Sequence, residues 1–375
     1  MTAMLWENGK VKAFRCSEMR LNMFFPSADT MPQMQRIQHI DSLRGVAVLL
    51  MVMVHAAATW NPFHSPQPTL LAYIISGLGG LAAPLFVTLF GWGVLRSELS
   101  LRQRLFQSLF LFAMQILVNL TSPHLFQTFT PGVLSLMALL NLVLPMLSSS
   151  FKDSKVHPLL WLTALVFLIQ FLYPEIQGEG SWSDRVNDAS LFIVVSNLFF
   201  TGTYPLFPWI LFAALGATIS ANGTNQGASV PSVHLIRYSI LFGLLFCLVS
   251  FYISQINNEL WAHPTADATL TFFPANTAFL IAAFTGVMIL WLMIQKLNPQ
   301  SLSSAGKMSL TIYVLHFIPL AWMQDYELTY QWGLTTSSIA VVAYSLIWIP
   351  LSAQWLKRYP KATLEATLKE IRKSL

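Results

Sequence analysis

Long apolar segments constrain the fold of this chain more than any other feature. A helix of about 20 apolar residues spans the hydrocarbon core of a bilayer. In lipid, every backbone polar group needs an internal partner, which helices supply. The candidate segments are residues 43–60, 70–95, 104–121, 131–149, 157–174, 205–220, 236–255, 274–295, 306–323 and 336–356. The sequence therefore predicts an all-α polytopic membrane protein with about ten transmembrane helices.

Composition supports this class. Hydrophobic residues make up 55% of the chain and charged residues only 10%, whereas soluble domains carry about 25% charged residues. One further apolar piece, residues 189–200, is too short for a span and is predicted to be interfacial or re-entrant. The two cysteines, Cys16 and Cys247, are not expected to pair, because one precedes the first span and the other lies inside a span.

Basic residues indicate the orientation. All but one of the 21 Lys and Arg residues fall on the same side of the predicted spans, the exception being Arg185. The positive-inside rule then places both termini in the cytoplasm. The predicted organisation is a loosely ordered cytoplasmic N-terminal tail (1–35), a transmembrane domain (36–357) and a basic cytoplasmic C-terminal tail (358–375). The net charge of +5 reports this topology and does not indicate nucleic-acid binding.

Two histidines are predicted to lie at one depth in the membrane. His55 follows Arg44 by eleven residues, about 16 Å along a helix. His316 follows Gly306, the start of another span, by ten residues, so both imidazoles fall near the bilayer midplane. Gln115 and Asn141 are placed near the same level. Polar groups in hydrocarbon are costly unless paired, so all four are candidates for an internal site.

Each of these residues also has a purely structural interpretation. A single intramembrane histidine can bond a neighbouring carbonyl, and Gln115 or Asn141 can join helices. Arg44 can act as a topology anchor paired with Asp41, which stands three residues earlier. No spacing of His, Cys and carboxylates predicts a metal site. The sequence alone leaves these alternatives open.

Four stretches resemble the transmembrane acyltransferase superfamily. "RIQHIDSLRGVAVLLMVMVHA" resembles the first span of its acyltransferase-3 branch, in which a basic residue precedes a histidine by the spacing of Arg44 and His55. "YPLFPWILFAALGATIS" and "GKMSLTIYVLHFIPLAW" resemble spans of the heparan-alpha-glucosaminide N-acetyltransferase branch. With "APLFVTLFGWGVLRSELS", which comes before them, the matches cover roughly residues 36–323 in matching order. The heparan branch has Asn where His55 stands, and the acyltransferase-3 branch lacks the Pro-Leu-Phe-Pro-Trp span. The catalytic assignment between His55 and His316 therefore stays open.

The resemblance implies an O- or N-acyltransferase, with His55 and His316 as candidate catalytic residues. Acetyl-CoA or another acyl-CoA is the implied donor, and a hydroxyl or amine of a sugar or glycolipid is the implied acceptor. The donor phosphates are expected to meet arginines at the cytoplasmic entrance, because Arg pairs with phosphate bidentately. The candidate donor-binding residues are Arg44, Arg96, Arg102 and Arg104, and the candidate acceptor-binding residues are Trp209, Gln115 and Asn141.

The expected location is a bacterial inner membrane, and a homodimer is one open arrangement. Trp209 is expected at the outer mouth, where it would either stack on a sugar or belong to an interfacial belt. A secondary transporter or flippase is the competing function, because midplane polar groups and Gly/Pro interruptions also suit one. No inverted repeat between the two halves supports that alternative.

Overall fold

The computed structural model describes residues 2–7, 10–15, 37–62, 69–153, 157–178, 181–265 and 267–375. Cys16 lies outside these residues. The chain divides into two units, Met1–Ile37 and Gln38–Leu375. In the first, strands β1 (Thr2–Glu7) and β2 (Lys10–Arg15) form an antiparallel hairpin. This part of the N-terminal tail, expected to be loosely ordered, therefore has regular structure.

The second unit is helical. Its first helices are α1 (Gln38–Thr59), α2 (Leu70–Arg96), α3 (Leu101–Thr121), α4 (Val133–Val143), α5 (Ser148–Asp153), α6 (Pro158–Leu172), α7 (Trp182–Val186), α8 (Leu191–Ser196) and α9 (Leu206–Asn222). The others are α10 (His234–Asn257), α11 (Thr277–Leu297), α12 (Ser303–Lys307), α13 (Ser309–Leu315), α14 (Phe317–Trp322), α15 (Tyr326–Thr329), α16 (Leu334–Leu346), α17 (Trp348–Arg358) and α18 (Leu364–Lys373). Two short strands, β3 (Ala262–His263) and β4 (Leu270–Thr271), pair in parallel.

Seven helices in the described part of the chain are long and apolar enough to cross a membrane. They are Gln38–Thr59, Leu70–Arg96, Leu101–Thr121, Val133–Lys152, His234–Asn257, Thr277–Leu297 and Leu334–Arg358. A further pair, Leu191–Thr201 and Leu206–Asn222, is bent by 47° and forms a broken span or a re-entrant loop. The protein is thus an all-α membrane protein, as the sequence predicts.

Local sequence signals set several helix ends. The hydroxyl of Ser100 accepts from the Gln103 amide, and the Gln103 side chain accepts from the Ser100 amide, which forms a capping box at the start of α3. This cap begins the helix three residues before the predicted start at residue 104. Asn276 caps α11 by accepting from the Phe279 amide at 2.8 Å. Asn298 ends α11 in a left-handed conformation with φ of 44°.

Glycines bring the central helices into close contact. A Cβ atom on Gly91 of α2 would lie 2.2 Å from the carbonyl oxygen of Ala213 in α9. One on Gly306 of α12 would lie 1.7 Å from the carbonyl oxygen of Asp41 in α1. Both separations are far below van der Waals contact, so only glycine allows these crossings. Gly91 and Gly306 therefore serve helix packing.

The predicted ninth span, residues 306–323, is a broken helix. Its three pieces, α12, α13 and α14, are separated at Met308, whose φ and ψ are −116° and 23°, and again at His316. The close approach at Gly306 packs the first piece against α1. The second piece ends at His316, so the break places a histidine at a helix terminus inside the bundle.

Candidate active site

His55 and His316 lie in direct contact. The Nδ1 atom of His55, from the middle of α1, is 2.8 Å from the Nε2 atom of His316, between α13 and α14. The two rings are nearly parallel, with centroids 5.1 Å apart and an interplanar angle of 11°. His316 has no exposed surface, whereas His55 is half-buried. The sequence placed the two histidines at one depth, and the structure brings their rings into contact.

The backbone around His316 fixes the proton positions in this pair. Its Nδ1 atom is 3.0 Å from the carbonyl oxygen of Ile312, one turn earlier in α13. A carbonyl only accepts, so Nδ1 of His316 donates, and Nε2 of the neutral ring carries a lone pair. His55 must then donate from its own Nδ1 atom. A neutral His55 consequently presents its Nε2 lone pair, the atom needed in a proton acceptor.

Aromatic residues hold the two imidazoles in place. Phe317 lies with its ring centroid 4.6 Å from that of His55 and 4.1 Å from that of His316. The ring centroid of Tyr313 is 6.2 Å from that of His55 and 5.8 Å from that of His316. The hydroxyl of Tyr344, from α16, donates to the carbonyl oxygen of His316 at 2.6 Å. This bond satisfies a carbonyl at the break and ties α16 to the site.

These supporting residues escaped the sequence reasoning. Tyr313 and Phe317 are apolar or aromatic members of a predicted span, so composition does not distinguish them from lipid-facing residues. Tyr344 is 28 residues from His316, and nothing local links them. Only Ile312 carried a usable signal, because it stands four residues before His316 and a helix places the two on one face.

Arg44 and Arg96 stand on adjacent helices. Arg44 pairs with Asp41 at 3.4 Å and is partly exposed, with a side-chain exposure of 32%. Its guanidinium also lies 3.8 Å from the position that a Cβ atom on Gly93 of α2 would take. Arg96, one turn further along α2, donates to the carbonyl of Gln226 and stacks over the Trp92 ring at 5.0 Å. The structure thus brings Arg44 close to the end of α2 that carries Arg96.

The other two predicted arginines differ from each other. Arg102 is exposed on the first turn of α3. Arg104 is buried and donates to the carbonyl of Ser97 at 2.7 Å. Its guanidinium also lies 3.5 Å from the carbonyl and the side-chain oxygen of Asn141. Arg104 therefore joins α3 to α2 and α4, and of this pair only Arg102 presents its guanidinium to solvent.

Asn141 and Gln115 bond neighbouring helices and do not reach the histidines. Asn141 donates to the carbonyl of Arg104 at 2.9 Å and to the hydroxyl of Ser108 at 3.1 Å. Gln115 donates to Asn119 at 2.9 Å and accepts from the amide of Leu134 at 3.1 Å. Both side chains are buried, with exposures of 1% and 3%. Their geometry is that of the helix-joining interpretation.

Trp209 lies in an aromatic cluster and has no exposed surface. Its ring centroid is 5.0 Å from that of Tyr204, 5.4 Å from that of Phe212 and 5.2 Å from that of Phe272. A ring packed on several sides offers no face for a sugar. Trp209 does not form part of an exposed interfacial belt, because α9 and its neighbours enclose it.

No group of three or more His, Cys, Asp or Glu residues that could hold a metal ion occurs in the described ranges. A half-buried imidazole with an oriented lone pair can accept a proton from a hydroxyl or amine, or attack an acyl group.

The fold and this site define an integral membrane protein with a paired-histidine centre among its helices. The family model for the acyltransferase-3 type, described as Acyltransferase domain, matches residues 37–353. The chain belongs to this family and is a membrane acyltransferase. A comparison with curated proteins found no match. Family membership favours acyl transfer over the transporter or flippase alternative.

Proposed function

We propose that the protein transfers an acyl group, with acetyl as the first candidate, from cytosolic acyl-CoA to a hydroxyl or amine of a sugar or glycolipid. The observation that carries this proposal is the 2.8 Å contact between His55 and His316. It leaves the Nε2 lone pair of a half-buried imidazole available for proton transfer within a membrane domain.

In the proposed reaction, His55 Nε2 takes the proton from the attacking hydroxyl or amine. The acceptor oxygen or nitrogen bonds to the thioester carbon, the carbon–sulfur bond breaks, and CoA leaves as the thiolate. His316 accepts the Nδ1 proton of His55 in a hydrogen bond and stabilises the imidazolium that forms. The proton on His55 Nε2 then passes to the thiolate, which restores the neutral pair.

A covalent route is the second way to use the same residues. His55 Nε2 would attack the thioester itself, and the acyl-imidazole would pass its acyl group to the acceptor. The two routes differ in steady-state kinetics. A covalent intermediate gives ping-pong behaviour, whereas direct transfer requires both substrates on the protein at once.

Arg44 supports a donor site near the start of α1. It is partly exposed and lies beside the end of α2 that carries Arg96. Arg44 and His55 are separated by eleven residues of one helix, about 16 Å, which a pantetheine arm can bridge. Bidentate pairing makes Arg44, Arg96 and the exposed Arg102 the proposed phosphate contacts. Arg104 is the weakest candidate, because its guanidinium is buried against backbone carbonyls.

The proposed topology has ten spans and both termini in the cytoplasm of a bacterial inner membrane. This number counts the seven long helices, the bent pair as one span and α6 as another. The broken helix α12–α14 is the tenth. In a background without Cys16 and Cys247, Ser181→Cys should react with an impermeant maleimide added to intact cells. Ser374→Cys, at the other end of the chain, should react only after the membrane is opened. The reverse pattern would overturn the orientation.

Acyl-donor consumption by the purified protein tests the function. The protein in lipid nanodiscs should release free thiol from acetyl-CoA slowly, because water replaces the missing acceptor, and His55→Ala should not. Mass spectrometry of a deletion strain shows whether its envelope glycans and lipids keep their acyl groups. If they do, and the purified protein releases no thiol, the proposed function is excluded. A glycan or lipid that loses an acyl group in that strain identifies the acceptor.

A further inference from the structure

The short helix that ends next to His316 begins with backbone amides that have no acceptor within the helix. Helix α13 starts at Ser309, directly after the break at Met308. The first amides of any helix have no partner within that helix. In a packed membrane domain water does not reliably satisfy such groups, so another part of the chain must supply acceptors.

The acceptor is Glu365, on the C-terminal helix α18. One oxygen of its carboxyl group accepts from the amides of Leu310 at 2.7 Å and Thr311 at 3.3 Å. The other accepts from the hydroxyl of Thr311 at 2.6 Å. In return, the hydroxyl oxygen of Thr311 accepts from the amide of Leu364 at 2.9 Å. Four hydrogen bonds thus join the start of α13 to the start of α18.

The far end of α18 is held by a different helix. Arg372 donates to the side-chain oxygen of Gln107 at 3.1 Å, and its carbonyl accepts from Gln103 at 3.0 Å. Both glutamines belong to α3. The C-terminal helix therefore bridges α13 and α3, although the sequence predicted only a basic tail for this part of the chain.

Helix α13 connects this attachment to the active site, because Thr311 lies near its start and His316 directly follows its end. Thr311 and His316 are five residues apart, about 7.5 Å along one and a half helical turns. A helix of this length moves as one piece, so a displacement of its start changes the contact between His316 and His55. Because the histidine contact is only 2.8 Å long, a shift of about 1 Å would break it.

We propose that Glu365 is a positioning residue for acyl transfer, and that the C-terminal helix holds His316 in contact with His55. This inference rests on the proposed role of the histidine pair. It gives the C-terminal segment a part in the reaction, at a place 55 residues from Leu310 in sequence.

Three variants of the full-length protein in nanodiscs test this proposal. Glu365→Ala removes the acceptors, Glu365→Gln keeps a side-chain oxygen for the amides, and Thr311→Val removes the hydroxyl that Glu365 accepts from. The control is Glu370→Ala on the same helix, because Glu370 is exposed and pairs with the exposed Lys373. All rates are expressed per folded protein, measured by size exclusion.

We expect Glu365→Ala to lower kcat for acetyl-CoA consumption about 10- to 100-fold, as for a misplaced catalytic group, and to leave KM for acetyl-CoA unchanged. Glu365→Gln should restore most of kcat. The double variant Thr311→Val/Glu365→Ala should have the same kcat as Glu365→Ala alone, because both substitutions remove the same attachment. A Glu365→Ala protein that is less stable but has the wild-type kcat would overturn the positioning role.

Chemical modification separates this inference from the proposed function. Diethyl pyrocarbonate modifies neutral imidazoles, and peptide mapping reports its rate at His55 and at the exposed His234. We expect Glu365→Ala to change the rate at His55 and to leave His234 unchanged. If the wild type releases no thiol and a deletion strain keeps all its acylated glycans and lipids, the proposed function fails. The modification rate at His55 then still decides the positioning claim. An unchanged modification rate at His55 in Glu365→Ala would contradict the positioning role of Glu365.

Discussion

The Nδ1 atom of His55 and the Nε2 atom of His316 are 2.8 Å apart, although 261 residues separate the two histidines in sequence. The carbonyl of Ile312 orients the second ring and, through it, the first. This arrangement gives the two imidazoles different tasks. His55 has the lone pair directed away from the pair, and His316 supports it from a fully buried position.

The two tasks predict different effects of substitution. His55→Ala should abolish acyl transfer, since general-base help alone is worth about 10²- to 10⁴-fold in rate. His316→Gln should keep part of the activity, because the glutamine oxygen can accept from His55 Nδ1, whereas His316→Ala should abolish it. Expression and detergent stability should stay nearly intact in the His55 variant. Thiol release from acetyl-CoA measures each rate.

Equal activity in His316→Gln and His316→Ala would contradict the supporting role of this ring. Unfolding of His55→Ala during purification would instead assign His55 to the structural interpretation, in which it packs and bonds but takes no part in the reaction.

The spans were largely predictable from the sequence. Helix α2 was expected over 70–95 and runs over Leu70–Arg96, because hydropathy and the flanking polar residues are local signals. The broken helix was not predictable in the same way. Hydropathy measures the composition of residues 306–323 and is blind to the hydrogen bonds that allow Met308 to leave the helix. Those bonds come from Glu365, and no local pattern points to it.

The sequence predicted the depth of the site residues in the membrane, but not the direction in which their side chains point. Counting residues from Arg44 and Gly306 placed both histidines at one level, and the structure brings them together. The same counting also placed Gln115 and Asn141 at that level, yet their side chains turn toward the contacts between α3 and α4. Rotation about a helix axis depends on packing partners from distant parts of the chain, which one sequence does not reveal.

Arg44 is expected to act on the donor side alone. Arg44→Lys should raise KM for acyl-CoA, because lysine keeps the charge and loses the bidentate geometry. Arg44→Ala should lose about 1.5–3 kcal/mol of charge-assisted bonding, which is about ten- to hundred-fold in affinity. Isothermal titration with a non-hydrolysable acyl-CoA analogue measures both, and acceptor affinity should not change.

Asp41→Asn is the matched control for Arg44, since it removes the partner at 3.4 Å and keeps the cation. Wild-type donor affinity in Arg44→Ala, with mild and similar losses of stability in both variants, would make Arg44 a topology anchor. Arg96 and Arg102 would then be the leading candidates for the donor phosphates.

Asn141 is expected to affect stability more than substrate binding. Asn141→Ala removes the bonds to the Arg104 carbonyl and the Ser108 hydroxyl, which are both buried. A buried polar group left without its partner costs about 1–3 kcal/mol. The melting temperature in detergent should fall, while KM for acetyl-CoA in the folded fraction stays at the wild-type value. A raised KM with unchanged melting would return Asn141 to the substrate-binding candidates.

Glu365 should make the stability of the C-terminal attachment depend on pH. Burial raises the pKa of this carboxyl above its ordinary value of 4.5, and the bonds from Thr311 and Leu310 oppose the shift in part. A carboxyl whose pKa is raised in the folded protein adds stability that is complete below the unfolded pKa. That contribution is lost as the pH rises through the folded pKa.

The melting temperature of the wild type should therefore fall relative to Glu365→Gln as the pH rises from about 4.5, since the amide does not titrate. Glu370→Gln, an exposed substitution on the same helix, controls for the change in helix composition. A constant difference in melting temperature between the wild type and Glu365→Gln across this range would show that the Glu365 carboxyl is not buried against α13.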